Sequence, residues 1–262
     1  MLKNPETTKN NIVQWIRDYM DENGSGCTAV IGCSGGKDST VAAALCAEAL
    51  GKDRVLGILM PNGIQSDIAD AYHVCQLLGI RYVVVNIGEI YESFRSQLSN
   101  GICDYMTRTA NNIQITDQCK INLPPRIRMS TLYAVAQCLP EGGRVVNTCN
   151  RSEDYVGYST KFGDSAGDFS PLSDLLVHEV KQIGHCWAKL NELVDKTPAD
   201  GLCGKTDEDN LGFTYNYLDH FIMQDGIADD EELNQKIRRL NKANLHKLRP
   251  MPYYFLSGEE VE

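Results

Sequence analysis

Ser34-Gly35-Gly36-Lys37-Asp38-Ser39 is the segment of the chain richest in groups able to do chemistry. Its two glycines let the backbone turn sharply and approach a ligand with no Cβ in the way. The Ala-rich run from Lys37 to Leu50 reads as a helix, whose first turn offers unpaired N–H groups and the positive end of its dipole. Ser34, Ser39 and Thr40 add hydroxyl donors. Together these groups make an oxyanion cradle. Asp38 would by itself repel a phosphate, so its role in such a cradle is to hold a Mg²⁺ ion that bridges to the phosphates. The G-x-x-x-x-G-K-[ST] spacing of a Walker loop is absent. A tight turn with a capping Ser or Asp uses the same glycines without a ligand. The position at the end of a first parallel strand, the edge where ligands of open α/β sheets bind, favours the cradle.

The cradle needs a strand before it and a helix after it, and the apolar patterning supplies both. Ile12, Trp15, Ile16 and Tyr19 recur at helical spacing, predicting an amphipathic helix over residues 6–22 stopped by Asn23-Gly24. Cys27–Cys33 reads as a buried strand, the run from Lys37 to Leu50 as a helix closed by Gly51, and Val55–Met60 as a second strand. Ile68–Leu78 reads as a helix and Tyr82–Ile87 as a third strand. Residues 88–123 read as helical with polar faces, and Pro124-Pro125 as the start of a helix running to Leu139. Val145–Thr148 is a fourth strand, 157–176 a long loop, Val177–Trp187 a helix and 196–212 a surface loop. Helices near 214–224 and 229–246 close the chain. Nearly continuous apolar strands alternating with helices predict a parallel sheet covered on both faces, an α/β fold of Rossmann-like type with a helical C-terminal region. No domain boundary is visible, so residues 1–262 read as one domain.

The chain has 262 residues, 42% of them hydrophobic and 23% charged, the composition of a globular protein rather than a disordered one. With 25 Lys and Arg against 35 Asp and Glu, its net charge is −10. That balance argues against nucleic-acid partners, because phosphate neutralisation needs clustered cations. Ten cysteines, none in a C-x-x-C pair, read as buried hydrophobes in a reducing compartment. There is no apolar signal core and no run long enough to span a bilayer, so a cytoplasmic location with no membrane partner is expected. Read from residue type alone, Glu153 is a solvated acid, Tyr133 a core residue within Leu132–Val135, His246-Lys247 a helix cap, and Asp207–Asp209 a solvated loop.

The SGGKDS loop resembles the SGGxDS loop of the N-type ATP pyrophosphatases, which cleave ATP between the α and β phosphates and form adenylates. The loop identifies that superfamily only. The block over residues 148–174, TCNRSEDYVGYSTKFGDSAGDFSPLSD, is more specific. With Pro124-Pro125-Arg126-Ile127-Arg128-Met129 and His246-Lys247, it is similar to the ammonia-dependent NAD synthetases over residues 12–252. The resemblance implies an adenine-nucleotide alpha-hydrolase type of fold. It also implies amidation of deamido-NAD (nicotinic acid adenine dinucleotide) to NAD with ATP, Mg²⁺ and ammonia, releasing AMP and PPi through a deamido-NAD adenylate.

Carried over residue by residue, Gly32, Cys33, Ser34, Gly35, Gly36, Lys37, Asp38 and Ser39 match the ATP loop, and Thr148 a threonine at the ATP site. Asp38 and Glu153 match the magnesium carboxylates. Arg126, Tyr133, Lys161, Asp168, His246 and Lys247 match deamido-NAD contacts. Asp164 matches a carboxylate that handles the incoming ammonia, so Asp38, Glu153, Asp164 and Lys161 form the expected catalytic set. Arg126, Lys161 and Lys247 would make a local positive pocket for the dinucleotide's pyrophosphate despite the overall charge.

Three positions depart from the pattern, and one of them, Asn147 before Thr148 where the family commonly has Gly-Thr, is expected to be tolerated. Val177 stands where a lysine contacts ATP, with Lys181 one helical turn on. Ala199 stands where a hydroxyl reaches ATP, with Thr197 as a displaced substitute. The resemblance further implies a homodimer. About 30 residues precede the loop, too few for a glutaminase domain, so ammonia rather than glutamine is the expected nitrogen source. Competing readings are another ATP pyrophosphatase, such as a tRNA-thiolating enzyme or a GMP-synthetase-like amidase, and a non-catalytic nucleotide sensor. A thiolating enzyme would be expected to show a basic tRNA surface and often paired cysteines, both lacking in this sequence, and a sensor has no need of both Asp38 and Glu153.

Overall fold

Four short strands, β1 (Thr28–Gly32), β2 (Val55–Leu59), β3 (Arg81–Val84) and β4 (Gly143–Val145), form one parallel sheet in the order β3-β2-β1-β4. The computed structural model describes residues 1–65, 68–109, 113–196 and 206–254. Val30 pairs with Leu56 on one side and Val145 on the other, and Ile58 pairs with Val83. β1 is therefore central, and its C-terminal end opens directly into the glycine loop.

Strand alternation sends side chains to two separate cores. Ala29, Ile31, Val55 and Leu59 face one. There they meet α1 (Pro5–Asn23), α2 (Lys37–Leu50), α3 (Ile68–Leu78) and α7 (Val177–Gly184). Val30, Leu56, Ile58 and Val145 face the other, against Ile127, Leu132 and Ala136 of α5 (Asp117–Cys138). A third cluster joins α6 (Arg151–Val156), α7, α10 (Tyr215–Met223) and α11 (Glu231–Asn244) through Val156, Val177, Phe221 and Ile237. The remaining helices are α4 (Gly88–Thr109), α8 (Asn191–Asp195) and α9 (Asp207–Leu211). The expected α/β class, with helices on both faces and a helical C-terminal region, is observed.

Several element boundaries differ from the sequence reading. The third strand is shorter than Tyr82–Ile87, and all four residues of β3 are exposed. It is an edge strand with an unburied face, and its valines reflect strand propensity rather than burial. α5 begins at Asp117 rather than at Pro124, because Thr116 caps it by accepting the Cys119 N–H at 3.2 Å. Pro124 and Pro125 lie inside α5 and supply no N–H to the carbonyls of Lys120 and Ile121, which lie one turn back. Lys120 and Ile121 are exposed, so water can serve those carbonyls.

The helix from Val177 ends at Gly184. The region expected as a loop over 196–212 contains α9, started by a reciprocal cap between Thr206 and Asp209. The expectations for Thr197 and Ala199 fall outside the described residues. The nine cysteines among the described residues are free thiols. No helix there is long and apolar enough to cross a membrane.

Candidate active site

The loop leaving β1 needs its first glycine more than its second. Gly35 has φ +84°, and a Cβ there would lie 2.5 Å from Asp70 Cβ and 2.9 Å from Ala71 N. Gly36 caps α2 in an extended conformation and has room for a Cβ. Ser34 and Ser39 hold the loop closed. Their hydroxyls lie 3.1 Å apart, Ser34 Oγ accepts the Gly36 N–H at 3.3 Å, and Ser39 Oγ donates to Gly36 O at 3.1 Å.

Asp38 enters from the first turn of α2, and Glu153 from α6, which begins just past β4. Asn150 joins them. Its side-chain amide donates to Asp38 Oδ1 at 3.0 Å, and its backbone N–H points at Glu153 Oε2 at 3.4 Å. Asn150 Oδ1 also accepts the Glu153 N–H, closing a capping box. Lys37 Nζ lies 2.6 Å from Asp38 Oδ2 and 3.9 Å from Glu153 Oε1, over the Tyr215 ring at 5.5 Å. Burial and the neighbouring Asp38 charge push Glu153 well above the usual carboxylate range. Burial would lower Lys37, but the charges of Asp38 and Glu153 outweigh it and hold the amine above its ordinary value. Asp207, assigned no chemistry from sequence, adds its negative charge to the same group.

A cavity of about 350 Å³ opens beside these groups. Cys33, Ser34, Gly36, Asp38 and Ser39 line it, as do Thr148, Glu153 and Asp164. Asp164 accepts the Thr160 N–H at 2.9 Å, while its carbonyl takes the Asn147 amide at 2.8 Å. Burial raises the Asp164 carboxyl above its ordinary value, although the hydrogen bonds from Thr160 and the charge of Lys247 pull it back. Arg128 also lines the cavity, donating from Nε to Met60 O at 3.1 Å. Sequence reasoning gives Arg128 no role. The signal was there in the i, i+2 arginine pair, but only the helix decides which of the two turns inward.

The expected deamido-NAD residues fall into two groups. Arg126 Nε donates to Lys161 O at 3.2 Å, Lys161 Nζ to His246 O at 3.1 Å, and Lys247 Nζ to Gly157 O and Ser159 O at 2.7 and 2.9 Å. These four gather where the loop after α6 meets the end of α11. Phe162, beside Lys161, has φ +63° and stands exposed under the Lys161 ammonium. Tyr133 and Asp168 form a separate pair, with Tyr133 OH 3.2 Å from Asp168 Oδ1 and Val145 N–H on Asp168 Oδ2 at 2.7 Å. Neither lines the cavity. Burial and Asp168 push Tyr133 up to about 12. Val177 is buried in the third apolar cluster, and neither it nor Lys181 lines the cavity.

Asp38 and Glu153 are hard oxygen donors that line one cavity, a donor set that suits Mg²⁺. Among the described residues no group of three or more His, Cys, Asp or Glu is placed to hold a metal, so further ligands would come from substrate and water, as is usual for this ion.

A parallel sheet whose central strand feeds an anion cradle, set beside a carboxylate pair, defines an α/β nucleotide-binding protein of the cradle type rather than the Walker type. Within that class the chain belongs to the NAD synthase family, whose model matches residues 8–251. It is 39% identical over 239 residues to an NH(3)-dependent NAD(+) synthetase of Thermococcus sibiricus, covering 90% of this chain and 87% of that one. Among solved structures it resembles an NMN synthetase from Francisella tularensis, with TM-score 0.83 and 31% identity over 97% of this chain and 99% of the other. It also resembles an NH3-dependent NAD synthetase from Campylobacter jejuni, with TM-score 0.73 and 25% identity over 97% and 100% of the two chains.

Proposed function

We propose that the protein amidates the carboxylate of deamido-NAD with ammonia at the expense of ATP, giving NAD, AMP and PPi. The observation that carries this is the meeting of the SGGKDS cradle, the Asp38–Glu153 pair and Asp164 around one cavity. A carboxylate oxygen of the substrate attacks the α phosphorus of ATP, and the bond to the β-phosphate oxygen breaks. The departing PPi carries its negative charge into the loop of Ser34, Gly36 and Ser39, whose N–H and hydroxyl groups receive it. Ammonia then attacks the acyl carbon, AMP leaves with the former carboxylate oxygen, and the nitrogen releases a proton to solvent to give the neutral amide. Asp38 and Glu153 would hold Mg²⁺, which when bound offsets the charge of the phosphates. Asp164 holds ammonium and takes its proton, supplying the free amine. Arg126, Lys161 and Lys247 form the basic surface for the dinucleotide's pyrophosphate, with His246 beside them; Thr148 serves ATP. Tyr133 and Asp168 sit apart from the cavity, and they would act on the part of the substrate that extends beyond it.

We further propose a homodimer. α4 has no buried residue along its length, Ile90 and Phe94 stand exposed on it, and the edge strand β3 is exposed as well. A surface of that kind is suited to burial against a second copy.

A second reading has one observation in its favour, the higher TM-score and identity to the NMN synthetase than to the Campylobacter enzyme. On that reading the substrate is nicotinate mononucleotide, and the chemistry at the carboxylate is unchanged. Parallel assays with ATP, Mg²⁺, ammonium and either acid separate the two. The expected result is AMP release that needs both ammonium and deamido-NAD, with the dinucleotide giving the higher kcat/KM and Asp38→Ala inactive. A preference for the mononucleotide would replace the first reading with the second, and AMP release with neither acid would overturn both.

A further inference from the structure

Lys37 is 4% exposed, yet it carries a charge. A buried ammonium is costly unless paired, and this one touches three partners: Asp38 Oδ2 at 2.6 Å, Glu153 Oε1 at 3.9 Å and the face of Tyr215 at 5.5 Å. The Tyr215 hydroxyl is itself buried without a hydrogen-bond partner, so the ring, not the OH, is what meets Lys37. Each carboxylate gives one oxygen to Lys37 and the other to Asn150. The cavity is lined by Asp38 and Glu153 but by none of Lys37, Asn150 and Tyr215. The amine and the amide therefore back the carboxylates on the side away from the cavity.

We propose that Lys37 is an embedded counter-cation of the Asp38–Glu153 pair, a positioning residue that holds the two carboxylates together in the absence of a divalent ion and weakens their grip on a bare one. This rests on the reading that the pair binds Mg²⁺. Two carboxylates alone carry two negative charges, repel each other, and attract a divalent cation strongly. With Lys37 behind them the net charge halves, and an incoming cation also meets the ammonium's repulsion. The site then takes up its metal most readily together with the polyphosphate, whose own negative charge and oxygen ligands restore the attraction. The lysine's flexible stem can adjust as the ion arrives.

Mn²⁺ serves as the probe, titrated without nucleotide and followed by the loss of its free EPR signal, on the wild-type chain and on Lys37→Met, Lys37→Gln, Lys37→Arg and Asp38→Asn. Both neutral variants should bind Mn²⁺ about tenfold or more tightly than wild type. They should melt at lower temperature in EDTA and regain stability with Mn²⁺, whereas Lys37→Arg should stay near wild type on both counts. Damage to a merely structural lysine would instead weaken Mn²⁺ binding. Neutral variants that bind Mn²⁺ no more tightly than wild type, or that stay unfolded in saturating Mn²⁺, overturn the proposal. Asp38→Asn separates the two claims. If Asp38→Asn added to Lys37→Met leaves that variant's tightened Mn²⁺ binding in place, the metal reading itself fails. If Asp38→Asn loses Mn²⁺ while the Lys37 variants gain none, only the role of Lys37 fails.

Discussion

Asp164 shows how one residue's surroundings set up its chemistry and its cost together. Burial raises its carboxyl pKa, while the Thr160 N–H and Lys247 restrain the rise. A carboxyl whose folded pKa lies above its unfolded value, about 3.9, adds stability below that value and loses it as pH rises through the folded pKa. At neutral pH the ionised Asp164 is therefore a burden on the fold, retained for its charge. Asp164→Asn should melt no lower than wild type at pH 7, with any gain vanishing below the ordinary aspartate range. It should lose about 10²-fold or more in kcat/KM for ammonium. In the wild type the acid limb of that parameter should lie above the usual aspartate range, and it should disappear in the variant. A variant that melts lower yet keeps its ammonium kinetics would show Asp164 to be structural.

At the scale of elements, the strand–loop–helix unit β1–α2 was legible because each step has a strong local signal: a fully apolar run, two glycines, and an Ala-rich segment. The loop also divides its glycines into two jobs. Gly35→Ala puts a Cβ at φ +84° into Asp70 and should cost about 1–3 kcal/mol, read as a lower melting temperature. Gly36→Ala should melt near wild type, since φ there is −75°, and yet bind ATP less well because a methyl group then faces the cavity. Equal melting temperatures for the two would remove this distinction. The start of α5 is not legible in the sequence, because Pro124-Pro125 is a strong local signal for a first turn and the Thr116 cap with water-exposed carbonyls outweighs it. α6 was hidden by its brevity, although Asn150 and Glu153 at cap spacing announce its start. The convergence of Lys37, Glu153 and Tyr215 could not be read from sequence, since it depends on how α2, α6 and α10 pack, and no local pattern records that. The Tyr133–Asp168 pair, set apart from the cavity, was invisible for the same reason.

At the scale of the whole molecule, the sheet places the cradle at the C-terminal end of its central strand, and the helical C-terminal region closes over one side with His246 and Lys247. The opposite edge strand, β3, is exposed, and so is α4. If a second copy covers that edge, light scattering should report twice the chain mass at micromolar concentration, and Phe94→Glu should shift it to monomer with little change in melting temperature. A monomeric wild type would contradict the dimer. The central claim is that the cavity joins a carboxylate to the α phosphorus of ATP. Its most direct test is turnover of deamido-NAD carrying ¹⁸O in the nicotinate carboxylate, with ATP, Mg²⁺ and ammonium, followed by mass spectrometry of the nucleotide and phosphate products. The expected result is one ¹⁸O atom in AMP for each NAD formed, and none in PPi. Label appearing in inorganic phosphate, with ADP in place of AMP, would mean attack at the γ phosphorus and would contradict the account.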